Sequence, residues 1–236
     1  MQRITRQELR NLSNRVLTFY KTRMNISLDI YCVDIEALAK MLGYEIYNVT
    51  LGDDAELMGF TAFEPAVLNL EHQNGYTVPI SVSANTIVLN DSIKDTCVGR
   101  YRFTAAHEVA HLILDMVYHL GYRLRYRSSP KMINNMINYT PFDYEEYIAD
   151  RLASCILLPE KELRKAFYES FGKNRVEYIS PLDCDGGYAK FCRIAERFGV
   201  SREALAIRLQ QIGMLGKYYN YQQQSALDIF PGVEVS

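Results

Sequence analysis

The sequence lacks the apolar runs that mark membrane and secreted proteins, and it lacks a large net positive charge. No apolar run approaches the ~18 residues that a helix needs to cross a bilayer. Residues 1–10 lack the apolar core of a secretory signal. The net charge of −2 over 236 residues gives no global electrostatic attraction to nucleic acid or anionic lipid. We therefore expect a protein that is neither secreted nor inserted in a membrane.

The cysteines are few and unpaired in pattern. There are 5, an odd number, and they are scattered with no C-x-x-C arrangement. This distribution is unlike a disulfide framework and unlike a cysteine-bound zinc ribbon. A reducing, cytoplasmic setting is the resulting expectation. Internal repeats are also lacking, and a Tyr/Gln-rich stretch at 218–224 is interpreted as part of a flexible tail.

Histidine is scarce as well, yet two of the 4 histidines form the motif H-E-V-A-H at 107–111. On a helix, residues four apart lie about 40° apart in projection, so the imidazoles of His107 and His111 can reach one metal ion. Glu108 then lies beside them, where its carboxylate can face a water on the metal. The motif predicts a metal site with the Glu108 carboxylate beside it.

A helix around this motif is supported by the surrounding residues. No proline or glycine lies between Arg100 and Leu120, and apolar side chains recur on one stripe at positions 103, 106, 110 and 114. A single buried histidine usually just hydrogen-bonds a carbonyl. Two histidines with an intervening glutamate, followed by an acidic second helix, favour a metal site instead.

The second helix begins at the sequence T-P-F-D, residues 140–143, which has Thr at the N-cap and Pro at the first helical position. It should end by Leu158, because Pro159 disfavours helical backbone at the residue before it. Zinc held by two imidazoles needs a third ligand and negative charge, and a carboxylate supplies both.

Glu146 is the predicted third ligand. It shares a stripe with Ala149, Asp150 and Ala153, and the alanines would let the two helices approach closely. Glu145 is the alternative ligand. Asp150, one turn beyond Glu146, is predicted to accept a hydrogen bond from the free ring nitrogen of a ligating histidine, with His107 as the candidate.

The remaining pattern predicts an α+β fold that is mainly helical. An amphipathic helix is expected over 7–24 and another from Asp34 as N-cap to Gly43. Short β-like runs predict a small antiparallel sheet. These runs lie at 44–49, 58–63, 66–70 and 86–90. Arginines at 123, 125 and 127 alternate with apolar residues, which favours a solvated or acid-paired strand over a nucleic-acid site.

Two further helices, joined by a turn at Phe198-Gly199-Val200, are expected between 185 and 213, with Ser201 capping the second. This segment is like a helix-turn-helix, but its exposed charges alternate in sign, so packing or protein binding is favoured over DNA binding. The expected division is an N-terminal helical arm (1–26), a domain that carries the metal site (27–178), the helix-turn-helix-like segment (179–215) and a flexible tail (216–236).

Four segments together resemble the ImmA/IrrE family of metallo-endopeptidases. They are D-I-E-A-L-A from Asp34, R-F-T-A-A-H-E-V-A-H from Arg102, E-Y-I-A-D-R-L-A-S-C-I-L-L-P from Glu146, and F-G-V-S-R-E-A-L-A-I-R-L from Phe198. The resemblance covers roughly residues 30–215 and rests on separated motifs in the right order. The sequence departs from the family in having Val109-Ala110 where Leu-Gly is usual, and Asp150 where Asn is common.

The resemblance implies a zincin-like fold and a cytoplasmic peptidase. In such families two histidines and a glutamate bind Zn²⁺, which corresponds here to His107, His111 and Glu146, and Glu108 would be the catalytic base. The implied substrate is a helix-turn-helix repressor, as in mobile-element induction or stress responses.

Two matters stay open at this point. Three tyrosines are candidate donors to the oxyanion, and nothing in the sequence selects among them. They are Tyr139, Tyr144 and Tyr147. The alternative function is a metal-sensing or DNA-binding regulator that keeps a peptidase-like fold without cleaving protein.

Overall fold

A computed structural model describes residues 4–50, 57–71, 77–122, 124–128, 141–182 and 186–218. In chain order the elements are α1 (Arg6–Arg23), α2 (Ile35–Met41), β1 (Glu45–Val49), β2 (Leu57–Ala62), β3 (Ala66–Glu71), β4 (Thr77–Val82), β5 (Thr86–Asn90), α3 (Ser92–Thr96), α4 (Val98–Tyr118), β6 (Leu124–Ser128), α5 (Pro141–Leu157), α6 (Glu160–Phe171), β7 (Val176–Ile179), α7 (Gly187–Phe198), α8 (Arg202–Gln211) and β8 (Leu215–Tyr218). Residues 129–139, the predicted cap at Thr140 and the tail residues 219–236 lie outside the described residues.

Side-chain caps define the starts of the first two helices, and the cap of the second, Asp34, is the predicted one. Thr5 caps α1 through a reciprocal box, in which its hydroxyl accepts from the Glu8 N–H and the Glu8 carboxylate accepts from the Thr5 N–H. The Asp34 carboxylate accepts from the Ala37 N–H at 3.0 Å and caps α2. Gly43 follows α2 with φ +86°, the left-handed conformation that ends many helices. Both predicted helices are confirmed.

The central sheet has the strand order β1-β5-β2-β6. β2 pairs antiparallel with both β5 and β6, as predicted, whereas β1 and β5 run parallel. The sheet is therefore mixed rather than purely antiparallel, because a long excursion through β2, β3 and β4 separates β1 from β5 and lets the chain re-enter in the same direction. β3 and β4 form a separate antiparallel hairpin.

One hydrophobic core joins the helices to one face of the sheet. It includes fully buried residues of α2, α4, α5, α6, α7 and α8, among them Leu38, Leu112, Leu152, Phe167 and Phe198. A smaller cluster, built on Phe60 and Val88, involves residues of β2, β4 and β5. The α+β, mainly helical class is thus confirmed. No helix in the described part of the chain has the length and apolarity that a bilayer span requires.

The C-terminal helices are those that the sequence predicts. Gly199 adopts φ +63° in the turn, and the Ser201 hydroxyl accepts from the Ala204 N–H at 3.1 Å to cap α8. Strand β8 pairs in parallel with β7 and runs to Tyr218, past the predicted end of this segment at 215. The hydrophobic core includes residues on both sides of residues 26 and 179. The predicted domain boundaries at these two positions stay predictions.

The start of α4 is fixed to this C-terminal helix pair. A Cβ added at Gly99 would lie 2.4 Å from the Ser201 nitrogen and 2.8 Å from the Val200 carbonyl carbon. Arg102, nearly one turn later, donates from Nε to the Gly199 carbonyl at 2.9 Å and from Nη2 to the Val33 carbonyl at 2.8 Å. The close backbone approach at Gly99 leaves no space for a side chain.

We expect Gly99→Ala to destabilise the protein, although alanine is the better helix former. Helix propensity alone would stabilise α4 by at most about 1 kcal/mol, whereas overpacking costs about 1–3 kcal/mol. The urea midpoint of unfolding should therefore fall. Val98→Ala, at a neighbouring residue that is 60% exposed, is the control and should change the midpoint little. A higher midpoint for Gly99→Ala would show that the contact with Ser201 does not constrain the fold.

Candidate metal centre

Helix α4 carries the H-E-V-A-H motif through the centre of the molecule. Every residue from Thr104 to Leu114 is buried, because α2, α5 and the strands β2 and β5 pack around this part of the helix. The helix ends at His119, which adopts φ +52° and donates its N–H to the Asp115 carbonyl at 2.8 Å. The motif therefore lies in the enclosed middle of the helix and not at a frayed end.

The two histidines of the motif face the same point. Their Nε2 atoms lie 3.0 Å apart, and the rings meet edge to face with centroids 4.6 Å apart and planes at 80°. Both His107 and His111 are almost completely buried. This is the arrangement that the i, i+4 spacing predicts.

Glu146 reaches this point from α5. Its Oε2 lies 3.0 Å from His107 Nε2, and its Oε1 lies 3.1 Å from His111 Nε2. The two helices carry fully buried alanines in this region, which lets their backbones approach closely. These are Ala106 and Ala110 on α4 and Ala149 and Ala153 on α5. The structure therefore brings together the three residues that the sequence predicts as metal ligands.

The geometry of the three ligand atoms can be compared with that of zinc coordination. Around tetrahedral zinc, with bonds of about 2.0–2.2 Å, ligand atoms lie about 3.3–3.6 Å from one another. The two imidazole Nε2 atoms lie 3.0 Å apart, and each lies 3.0 to 3.1 Å from a different oxygen of the Glu146 carboxylate. These distances are slightly shorter, so a small outward movement of the side chains would seat the ion. Two imidazole nitrogens and one carboxylate suit zinc and leave one coordination position for water or substrate.

The ionisation of Glu146 also suits a cation. Burial by itself would raise the pKa of this carboxyl, but hydrogen bonds and charge interactions with His107 and His111 outweigh burial and lower the pKa below its usual value. The carboxylate is therefore ionised at neutral pH. The ionised form is the one that binds metal.

Asp150 and Glu145, which flank Glu146 on α5, have different partners. Asp150 Oδ1 lies 2.8 Å from His107 Nδ1, the ring nitrogen that faces away from the three-atom cluster. Glu145 instead accepts a hydrogen bond from the Tyr122 hydroxyl at 3.1 Å and is not part of the cluster. The Tyr122 ring also packs edge to face on His111, with centroids 5.9 Å apart.

Glu108 is completely buried and is hydrogen-bonded to Thr61, which was not among the site residues predicted from the sequence. The Thr61 hydroxyl, on β2, donates to Glu108 Oε2 at 2.7 Å. The only available sequence signal was a polar residue inside an apolar run, and threonine is common in strands for reasons of packing alone. Nothing in the sequence indicated that Tyr122 lies beside His111, because this contact depends on the path of the chain after α4.

The two described tyrosines that are candidate oxyanion donors, Tyr144 and Tyr147, have different hydrogen-bond partners. The Tyr144 hydroxyl accepts from the Ile4 N–H at 2.7 Å, and so connects α5 to the chain before α1. The Tyr147 hydroxyl accepts from Arg151 Nε at 3.0 Å on an exposed part of α5. Tyr139 lies outside the described residues. Neither described tyrosine has a hydrogen bond with a residue of the three-atom cluster.

The helix-turn-helix-like segment packs beside the peptidase helices. Ala204 and Ile207 of α8 line a cleft of about 700 Å³, which α4 and α5 also line through Phe103 and Asp150. The buried residues of α8 are Leu205, Ala206, Arg208 and Leu209, whereas Ile207 is 49% exposed in the cleft. The buried residues agree with a packing role for one face of α8, and the face that lines the cleft is open to solvent.

Comparison with known proteins identifies the family. The family model described as the IrrE N-terminal-like domain of the M78 peptidases matches residues 65–210, which include both α4 and α5. No curated protein gives a significant match to the sequence. Because the matched residues make up more than half of the chain and carry the histidine pair with its facing glutamate, the chain belongs to the ImmA/IrrE family of metallopeptidases.

Proposed function

We propose that this protein is a zinc-dependent endopeptidase, with His107, His111 and Glu146 as metal ligands and Glu108 as the general base. The observation that supports the proposal is that Glu146 of α5 meets His107 and His111 of α4, with nitrogen–nitrogen and nitrogen–oxygen distances of 3.0 to 3.1 Å, on the α4 turn that also presents Glu108. His107, His111 and Glu146 would hold the zinc, which would supply Lewis-acid chemistry and would lower the pKa of a water bound to it toward about 7.

In this proposal Glu108 handles the proton. Its carboxylate accepts a proton from the water that attacks the peptide carbonyl, and it later delivers that proton to the departing amine. The peptide C–N bond breaks, and the water oxygen stays on the new carboxylate. The enclosure of Glu108 favours this role, because hydrogen bonds and charges act more strongly where bulk water is excluded.

Asp150 has an orienting role. A hydrogen bond from His107 Nδ1–H to Asp150 Oδ1 selects the tautomer whose Nε2 lone pair points toward the Glu146 carboxylate and His111. A carboxylate in this position also makes the imidazole a stronger ligand.

The proposed substrate is an intracellular protein, with a helix-turn-helix repressor as the candidate that family membership suggests. A regulator that binds DNA and does not cleave protein is the competing function. The meeting of His107, His111 and Glu146 beside Glu108 supports the peptidase over that alternative.

Metal content gives the first prediction. The purified protein should contain about one zinc per chain, and His111→Ala should lose it because two protein ligands bind far more weakly than three. His119→Asn is the matched control, since His119 is exposed, lies at the end of α4, and asparagine tolerates its left-handed backbone. Elemental analysis by mass spectrometry measures both variants. Full zinc in His111→Ala would exclude this residue as a ligand.

Neighbouring glutamates on α5 provide a second, internally controlled prediction. Glu146→Gln should weaken zinc binding strongly, whereas Glu145→Gln should leave it nearly unchanged, because only Glu146 lies within 3.1 Å of both imidazoles. Asp150→Ala should fall between them, with a loss of roughly 10- to 100-fold. Competition with a zinc chelator measures the three affinities. An equal loss in both glutamine variants would make Glu145 a ligand too.

A third prediction separates catalysis from binding. Glu108→Gln should keep zinc and the fold, since the two side chains are nearly isosteric, but should lower the cleavage rate by on the order of 10² to 10⁴. Each form is co-expressed with the helix-turn-helix repressor encoded nearest to it, and the repressor is followed by immunoblot and mass spectrometry. The parent should cut the repressor at a defined bond, and the variant should leave it intact. Cleavage by the variant at the parental rate would favour a non-proteolytic role for this site.

A further inference from the structure

One polar contact between β2 and α4 is wholly enclosed. Thr61 donates its hydroxyl to Glu108 at 2.7 Å, and both residues are 0% exposed. The partners are 47 positions apart in sequence, so the contact exists only because the strand and the helix pack face to face. A valine at position 61 would have nearly the same shape as threonine, but it could not donate a hydrogen bond to Glu108.

Gly59 makes the close packing possible. A Cβ at Gly59 would lie 3.2 Å from Thr104 Cγ2 and 2.9 Å from Leu89 Cδ2, so a larger residue would push the strand and the helix apart. Thr104 is one helical turn before Glu108, and Gly59 is two residues before Thr61 on the same face of β2. Two successive contacts therefore join β2 to α4, one between Gly59 and Thr104 and the other between Thr61 and Glu108.

The backbone of Thr61 is held firmly. It lies in the register of both neighbouring strands, opposite Ile87 of β5 and opposite Arg125 of β6. A side chain on a strand that is paired on both sides moves less than one on a loop. The hydroxyl thus offers Glu108 a fixed donor.

We propose that Thr61 is a positioning residue that holds the Glu108 carboxylate for proton transfer, with Gly59 setting the distance. This proposal rests on the peptidase function proposed above. A glutamate side chain has several rotatable bonds, and a buried carboxylate without a donor is costly. The charge-assisted bond from Thr61 offsets that cost and restrains the carboxylate in one orientation. A displacement of about 1 Å in such a group can slow catalysis by as much as ~10²-fold.

The test compares three variants on the best-cleaved member of a quenched-fluorescent peptide library. Thr61→Val keeps the shape and removes the donor, so kcat should fall by about 10- to 100-fold while KM and zinc content change little. Thr61→Ser restores the hydroxyl and should recover most of the parental kcat. Thr86→Val is the matched control, because Thr86 is a buried threonine on the adjacent strand whose hydroxyl bonds the Ala84 carbonyl. Its kcat should equal that of the parent.

Two outcomes would overturn the role of Thr61 in the reaction. One is a parental kcat in Thr61→Val. The other is a loss in Thr61→Val that Thr61→Ser does not recover, which would indicate a general packing defect. If the parent cleaves neither a library peptide nor the co-expressed repressor, the peptidase proposal fails, and this result is seen separately from any effect at Thr61.

A second measurement does not depend on activity. Urea midpoints are compared for the parent, Thr61→Val, Glu108→Ala and the double variant, all without metal. Thr61→Val should lower the midpoint of the parent, because it deprives a buried carboxylate of a donor. In the Glu108→Ala background the same change should leave the midpoint unchanged or raise it. An equal decrease in both backgrounds would mean that Thr61 does not hold Glu108.

Discussion

Two buried imidazoles and one carboxylate meet between α4 and α5, and this contact constrains much of the surrounding structure. Polar groups in an enclosed place must be paired or must bind a metal, since an unpaired buried group is costly. The pairing of His107 with both Glu146 and Asp150 fixes the register of α5 against α4. The buried alanines on both helices then follow from the short distance that this pairing requires.

The catalytic side of the site depends on a different neighbour. Glu108 lies on the same helix turn as the histidines and is hydrogen-bonded to the sheet through Thr61. In our account the metal is held between two helices while the general base is held between a helix and a strand. A substitution that moves β2 should therefore affect proton transfer more than metal affinity.

Strongly local features were predictable from the sequence, and contacts made by the tertiary fold were not. The helix pair around His107 and Glu146 has regular apolar stripes, capping signals and a rigid ligand spacing, so its elements and the meeting of the three ligand residues follow from local rules. Helix α6 was missed although Leu163, Ala166 and Phe167 follow its inner face. The strands β4, β7 and β8 were missed because short segments have weak periodicity. Thr61 could not be recognised, because its role depends on where β2 packs.

The most direct test of the account is the position of the metal itself. Anomalous X-ray diffraction from a crystal of the zinc-loaded protein, measured at the zinc absorption edge, locates the ion independently of any assumed ligand. The account predicts one strong peak about 2.0–2.2 Å from Nε2 of His107, Nε2 of His111 and a carboxylate oxygen of Glu146. A peak bound by other residues, or none at this place in a crystal that contains zinc, would contradict it.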